Sequence, residues 1–367
     1  MSDFIFKGKL ALQQRVLPAY RQPFFDHLAG ACEGGMSVFS GEPRPEESIQ
    51  IAAELKVARW EKGENVHLLR GSLYLCYQRD LIEWLQKTNP DALIMEANPR
   101  YLSSRRALDW MHSNNRAVVG WGLGAPAVKG KLAGYRRGLR KSFLNRFDAL
   151  IAYSTKGAEE YAELGYRSDR IFVAPNAVVS SPGIAIKHDP AKKRTGRLLF
   201  VGRLQRRKRV DLLLQACASL QSKPEVIIVG DGPAREEFEK IAADVYPSAQ
   251  FVGSKFGSDL QQYFAYADLF VLPGTGGLAV QEAMAAALPV IVAEGDGTQR
   301  DLVSGGNGWL VQPGDLDGLT AALREALRHP RRLVKMGEKS HLMVVEQFNI
   351  ERMTEVFVSV LHKVMEG

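Results

Sequence analysis

The chain lacks the marks of several common protein classes. Cysteine is scarce: three residues in 367, Cys32, Cys76 and Cys217, far apart and in apolar surroundings. That spacing excludes a disulfide framework and a Cys-x-x-Cys metal or redox site, and reads as buried free thiols in a reducing cytosol. Long apolar runs are also missing. Phe4 to Leu10 is interrupted by Lys7 and Lys9, so no signal-peptide pattern follows Met1. The longest apolar stretch, Ala283 to Ala293, is broken by Pro289 and is too short to cross a bilayer. No short-period repeat or low-complexity tract occurs, and no Asp-x-Asp pair or histidine cluster lies near the glycine-rich turns of the second half, so no metal or other cofactor is expected.

Acidic residues are absent from one window where basic ones concentrate. Between Lys129 and Phe147 stand Lys129, Lys131, Arg136, Arg137, Arg140, Lys141 and Arg146, with no Asp or Glu. Leu132, Tyr135, Leu139, Phe143 and Phe147 recur there at helical spacing. A basic amphipathic helix of this kind can lie on anionic lipid, and an ordinary packed helix with a solvated basic face has the same pattern. No aromatic ladder or nucleic-acid reader motif accompanies the charge, so nucleic acid is not an expected partner.

What is present fits a soluble globular chain of about two domains: 46% hydrophobic, 24% charged, net charge +7. The first half predicts strands near Leu10–Val16, Met36–Phe39, Val66–Leu69, Ala92–Glu96, Ala117–Trp121, Ala149–Tyr153 and Ile171–Val173. Helical patterns lie between them, including Gln78–Lys87, Ser103–His112 and Lys131–Phe147. The second half predicts strands near Arg197–Val201, Glu225–Val229, Ala249–Val252, Leu269–Leu272, Pro289–Ala293 and Gly308–Val311, then helix after Pro330. Val178–Arg194, with two prolines and a Lys-Lys-Arg run, reads as a linker. Short apolar runs alternating with helices are the pattern of parallel α/β sheets, which bind ligands outside the carboxyl ends of their strands.

At those ends the second half places residues suited to a nucleoside diphosphate. Arg203 follows a strand and Gly202; Lys208 lies five residues on, near a helix start. Gly276 and Gly277 open a helix expected over Ala279–Ala287, where small residues let backbone approach a pyrophosphate. Glu282 sits one turn in, placed for a carboxylate to take both hydroxyls of a ribose. Fixed cations would do the work of a metal. In the first half Tyr20 and Arg21 follow the first strand, Glu96 ends another, and Trp121 and Gly122 end a third in VVGWGLGAP. These five are acceptor-side candidates. Against that role, Pro18–Pro23 is a turn that orients a helix, and Glu96 has Arg100 and Arg105 as expected salt-bridge partners.

VGRLQRRKRVDLL, VGDGP, LPGTGGLAVQEAMAAALPVIV and NGWLVQPGD together resemble the donor-binding half of retaining family 4 glycosyltransferases. The resemblance is strong from Arg197 to Asp315; before that it rests on strand-helix order and VLPAYRQPFF. It implies an α/β chain of the GT-B fold, two Rossmann-like domains facing each other across a cleft. The acceptor domain would be 1–178 and the donor domain 179–345, with a final helix in 346–367 crossing back. It implies that Arg203 and Lys208 hold the pyrophosphate and Glu282 the ribose. Gly277 and Leu278 would offer backbone to phosphate and sugar, and Gly253–Lys255, with Ser254 and Lys255, would meet the base. The partners implied are a nucleotide sugar and a carbohydrate or lipid-linked acceptor, used in the cytoplasm or peripherally at the inner membrane face. Two positions depart from the pattern. Gly274 stands where a glutamate usually engages the sugar ring, and Leu123 stands where a histidine is common. An epimerase or hydrolase on the same fold, or a non-catalytic nucleotide-sugar-binding relative, are the alternative functions.

Overall fold

The computed structural model describes residues 4–47, 49–128, 130, 132–186, 188 and 196–366. Lys129, Lys131 and much of the expected linker lie outside the described residues. The chain forms two compact units, Met1–Val178 with Ile350–Gly367, and Val179–Asn349.

The first unit holds strands β1 (Leu10–Val16), β2 (Met36–Gly41), β3 (Arg59–Lys62), β4 (Asn65–Leu68), β5 (Leu75–Gln78), β6 (Ala92–Glu96), β7 (Ala117–Gly122), β8 (Ala149–Ala152) and β9 (Ile171–Val173). Seven of them make a parallel sheet in the order β3-β2-β1-β6-β7-β8-β9, while β4 and β5 pair antiparallel as a separate hairpin. The central strands read as continuous apolar runs because helices cover both faces, as a parallel sheet requires. The hairpin is a departure from the alternating strand-helix reading. The helix expected from Gln78 begins at Leu81 instead, because Asp80 takes a left-handed conformation (φ 63°) that breaks the chain direction.

The helix Ile350–Met365 completes this unit. Its face of Ile350, Met353, Phe357, Val358 and Leu361 is buried in one apolar cluster with Phe24, Phe25 and Trp121. Ring centroids of Phe357 lie 5.0 Å from both Phe24 and Trp121, in edge-on geometry. Aromatic pairs of this kind add to what burial alone contributes.

The second unit holds β10 (Arg197–Val201), β11 (Glu225–Val229), β12 (Gln250–Gly253), β13 (Leu269–Leu272), β14 (Val290–Ala293) and β15 (Gly308–Val311). All pairings are parallel and the order is β12-β11-β10-β13-β14-β15. That is the Rossmann arrangement, in which the chain's direction of winding reverses between β10 and β13. Both units are therefore Rossmann-like sheets. In the first the same reversal falls between β1 and β6. All three cysteines are buried and unpaired, and burial pushes the Cys32 and Cys217 thiols up to about 12.

Candidate functional site

The crevice at the reversal point of the second unit is built from two loops. One leaves β10 as Gly202-Arg203-Leu204 and ends in a 3-10 turn, Arg206–Lys208, before the helix Val210–Ser219. The other leaves β13 as Pro273-Gly274-Thr275-Gly276-Gly277 before the helix Leu278–Ala285. Thr275 N–H donates to the Arg207 carbonyl at 3.0 Å, and the Arg207 guanidinium donates to Thr275 Oγ1 at 3.2 Å. The loops are thus laced together.

Gly274 is the consequence of that lacing. A Cβ on residue 274 would lie 2.2 Å from the Arg207 carbonyl oxygen and 2.6 Å from Lys208 Cα. Backbone fills the space a side chain would need, so the carboxylate usual at this position has no room here.

Lys208 folds over the second loop. Its Nζ occupies the spot where a side chain on residue 276 would begin, 2.2 Å from a Cβ built there, and Gly276 has φ 128°. The amine is half-buried with no carboxylate partner among the described residues. Burial, with the charge of Arg207 added, lowers its pKa from 10.5 to about 8. A cation held out of water without a counter-ion is a place prepared for an anion. The helix at Leu278 adds to it: Gly277, at its N-cap position, offers no side-chain cap. The first N–H groups of a helix have no partner within the helix.

Glu282 lies in that helix, half-buried and without a partner among the described residues, and burial raises its pKa. Gln299, which sequence reasoning did not single out, is buried and donates to the Gly276 carbonyl at 3.1 Å, pinning the loop from below. It comes from the short helix Thr298–Leu302, which follows β14 after a Gly-rich turn. Arg203 is exposed beside Gly202. Ser254 (exposed) and Lys255 (half-buried) follow β12, two strands from β10 along the same carboxyl edge. The Gly230 N–H donates to the Gly253 carbonyl at 2.9 Å and ties that loop to the end of β11.

The first unit's reversal point is also polar. Glu96 ends β6 next to β1, and its carboxylate accepts from the Arg15 N–H. The expected partners Arg100 and Arg105 are not the ones it takes, because β1 places Arg15 opposite the end of β6 and the Arg105 guanidinium lies over the Phe143 ring. Burial raises the pKa of Glu96, opposed by the Arg15 hydrogen bond and the charge of Arg21. Arg21 is itself buried; it donates to Tyr153 Oη at 2.8 Å and stacks 4.1 Å from the Trp121 ring centre. Trp121 is fully buried among Phe24, Phe25, Tyr153 and Phe357, so its side chain meets no acceptor. It is a core residue, in correction of the sequence reading. Gly122 is half-buried beside the Tyr161 hydroxyl, and Tyr20 stays exposed. His27 bonds Thr354 of the last helix at 2.9 Å, and His112 lies 3.5 Å from Asp148; both serve structure.

The basic window forms the helix Ala133–Leu144. Phe143 and Phe147 are buried, whereas Leu132, Tyr135 and Leu139 face out with the arginines. Among the described residues no helix is long and apolar enough to cross a membrane, and no three metal-ligating side chains converge.

Residues 195–329 match the family model for glycosyl transferases group 1. The chain is 31% identical over 264 residues to a GDP-mannose-dependent alpha-mannosyltransferase of Mycolicibacterium smegmatis, covering 63% of this chain and 68% of that one. It is 26% identical over 231 residues to LpsE of Rhizobium meliloti, a lipopolysaccharide core biosynthesis glycosyltransferase, covering 60% of this chain and just under two thirds, 66%, of LpsE. Among solved structures, Anabaena HepE in complex with UDP superposes with a TM-score of 0.72 at 18% identity, covering 97% of this chain and 99% of that one. The family match in the second unit and the identity to the mannosyltransferase show the family, and the full-length structural likeness shows the fold: the chain belongs to the group 1 glycosyltransferases and has their GT-B fold.

Proposed function

We propose that this glycosyltransferase moves a sugar, with retention and without a metal, from a nucleoside-diphosphate donor to a carbohydrate or lipid-linked acceptor. The observation that carries the reading is the half-buried, unpartnered Lys208 amine folded over Gly276 at the sheet's reversal point. Lys208 and Arg203 would hold the pyrophosphate, with the N–H groups at Gly277 and Leu278 completing the cradle. Glu282 would accept from the ribose hydroxyls, and Ser254 and Lys255 would border the base.

The chemistry asked of the protein is small. The bond from the anomeric carbon to the phosphate oxygen breaks, and a bond to the acceptor oxygen forms on the same face. The acceptor's proton passes to the departing phosphate. Fixed cations stabilise the charge that develops there, so the protein need supply no side-chain base. Gly274 fits a working site, because backbone packing rather than decay accounts for it.

The likeness to LpsE supports surface polysaccharide or glycolipid assembly as the setting. The basic helix supports an acceptor met at an anionic membrane surface on the cytoplasmic side. Calorimetric titration with UDP, GDP, ADP and dTDP in EDTA tests the donor site. Tight binding of one nucleotide is expected, weakened strongly in Lys208→Ala with the fold intact. Absence of binding to all four, or unchanged affinity in the variant, would overturn the assignment in favour of a non-catalytic relative.

A further inference from the structure

Gly276 and Gly277 share a peptide group whose orientation nothing local decides. Neither residue has a Cβ, so the group can turn over without a side-chain clash. What it shows to the crevice depends on that turn. In a trans peptide the Gly276 carbonyl and the Gly277 N–H point in opposite directions.

Gln299 decides between them. Its Nε2 donates to the Gly276 carbonyl at 3.1 Å, and the residue is only 1% exposed. The carbonyl is therefore held toward the protein interior, and the Gly277 N–H faces the other way. That N–H has no backbone partner among the described residues. The turn before Gln299 is built to hold it. Gly297 is left-handed at φ 99°, and Thr298 donates to Asp296 Oδ1 through its N–H at 3.2 Å and its hydroxyl at 2.6 Å. Glu294 accepts from Arg300 and from Gln312 Nε2, and its N–H donates to the Val311 carbonyl at 2.9 Å, tying the turn to the end of β15.

Stability does not account for this side chain. Its Oε1 is buried with no partner among the described residues. An orphan buried acceptor costs more than one hydrogen bond returns. Methionine, of similar volume, would avoid that loss, so what glutamine adds is its hold on the carbonyl.

We propose that Gln299 is a positioning residue for sugar transfer. It fixes the Gly276–Gly277 peptide so that the Gly277 N–H points at the phosphate bearing the sugar, and it keeps the Gly276 carbonyl away. A carbonyl oxygen turned toward that phosphate would repel it, and repel it more as charge develops on departure. The inference deepens the donor-site reading and rests on it, since that reading puts Gly277 and Leu278 beside the phosphate and sugar.

Backbone sterics offer a second way to fix the same orientation. Turning the peptide over adds about 180° to φ of residue 277, taking it from −159° to about 20°, which glycine accepts and alanine resists. A Cβ there would make ordinary contacts on the protein side of the loop, 3.7 Å from Thr298 Oγ1 and 3.8 Å from Gln299 Nε2. Gly277→Ala should therefore do by sterics what Gln299 does by hydrogen bonding.

The test is calorimetric titration of UDP, GDP, ADP and dTDP, and of the matching monophosphates, with urea unfolding of each protein. The proteins are wild type, Gln299→Met, Gly277→Ala and the double variant. For the diphosphate that wild type binds, Gln299→Met should lose about tenfold or more in affinity. The monophosphate, which lacks the departing phosphate, should lose less than about threefold. Stability of Gln299→Met should equal or exceed that of wild type. Adding Gly277→Ala to it should restore most of the lost affinity. Unchanged diphosphate affinity in Gln299→Met would overturn the proposal. Equal losses for both ligands together with lower stability would also overturn it, leaving Gln299 a structural residue. Should Gln299→Met fail to fold, Gly277→Ala alone decides: wild-type affinity supports the N–H orientation, and a loss of about tenfold overturns it. A wild type that binds none of the four diphosphates would overturn the donor-site reading itself, and this inference with it.

Discussion

Replacing Lys208 by methionine should make the unliganded protein more stable while removing its ability to hold a nucleoside diphosphate. The amine's pKa falls from 10.5 to about 8 in the folded chain. The difference, 10.5 − 8, is about 2.5 pKa units, or ~3 kcal/mol of disfavour for the charged form at about 1.4 kcal/mol per unit. Local relaxation and water reduce this, so a gain of about 1–3 kcal/mol is expected for Lys208→Met near neutral pH. The folded pKa lies below the unfolded one, so the penalty is whole at pH below about 8 and fades between about 8 and 10.5. Wild-type stability should therefore rise across that window relative to Lys208→Met. Urea unfolding of both proteins at a series of pH values, with equal m-values, measures the difference directly. Nucleotide binding near pH 8 should take up a proton, seen as a dependence of binding enthalpy on the ionisation enthalpy of the buffer. A methionine variant that is less stable at neutral pH, or that binds nucleotide as wild type does, would refute the view of Lys208 as a cation stored for an anionic ligand.

Two further outcomes follow from the packing. Gly274→Ala should destabilise the second unit by about 2 kcal/mol or more, because a Cβ must displace the Arg207–Lys208 backbone. Nucleotide affinity should fall with it, and a variant that melts and binds like wild type would show that the loops part freely. Trp121→Ala should cost about 3–5 kcal/mol in thermal or urea unfolding while leaving nucleotide affinity unchanged. Loss of transfer without loss of stability would return this ring to the acceptor side.

The second unit was the more legible of the two. Its strands are apolar runs that end in glycine or charge, and β10, β11, β13 and β15 fall on the expected residues. The first unit hid two strands. Arg59-Trp60-Glu61-Lys62 forms the sheet's edge, mostly in water, so burial imposes no pattern on it. Leu75–Gln78 runs toward the helix at Leu81 with only Arg79 and Asp80 between, and a helical window absorbs its last residue. Periodicity gave the helix that carries Leu132, Tyr135 and Leu139 but left open whether their face is packed, since spacing shows that side chains share a face without showing what that face meets. At the candidate donor site, the order of Gly202, Lys208, Gly276 and Glu282 could be read along the chain. The contact between residue 274 and the Arg207–Lys208 backbone could not, because it joins segments more than sixty positions apart. The same holds for Glu96, whose partner Arg15 precedes it by 81 residues.

The helix Ile350–Met365 also bears on how the protein emerges from synthesis. Its Met353, Phe357 and Leu361 lie in the core around Phe24 and Trp121, so the first unit is split in sequence while the second, Val179–Asn349, is continuous. Domains on a growing chain generally fold in order from the amino end. Here the order is reversed: the middle of the chain has all its contacts first, and the amino-terminal sheet stays open along one apolar face until the last helix is made.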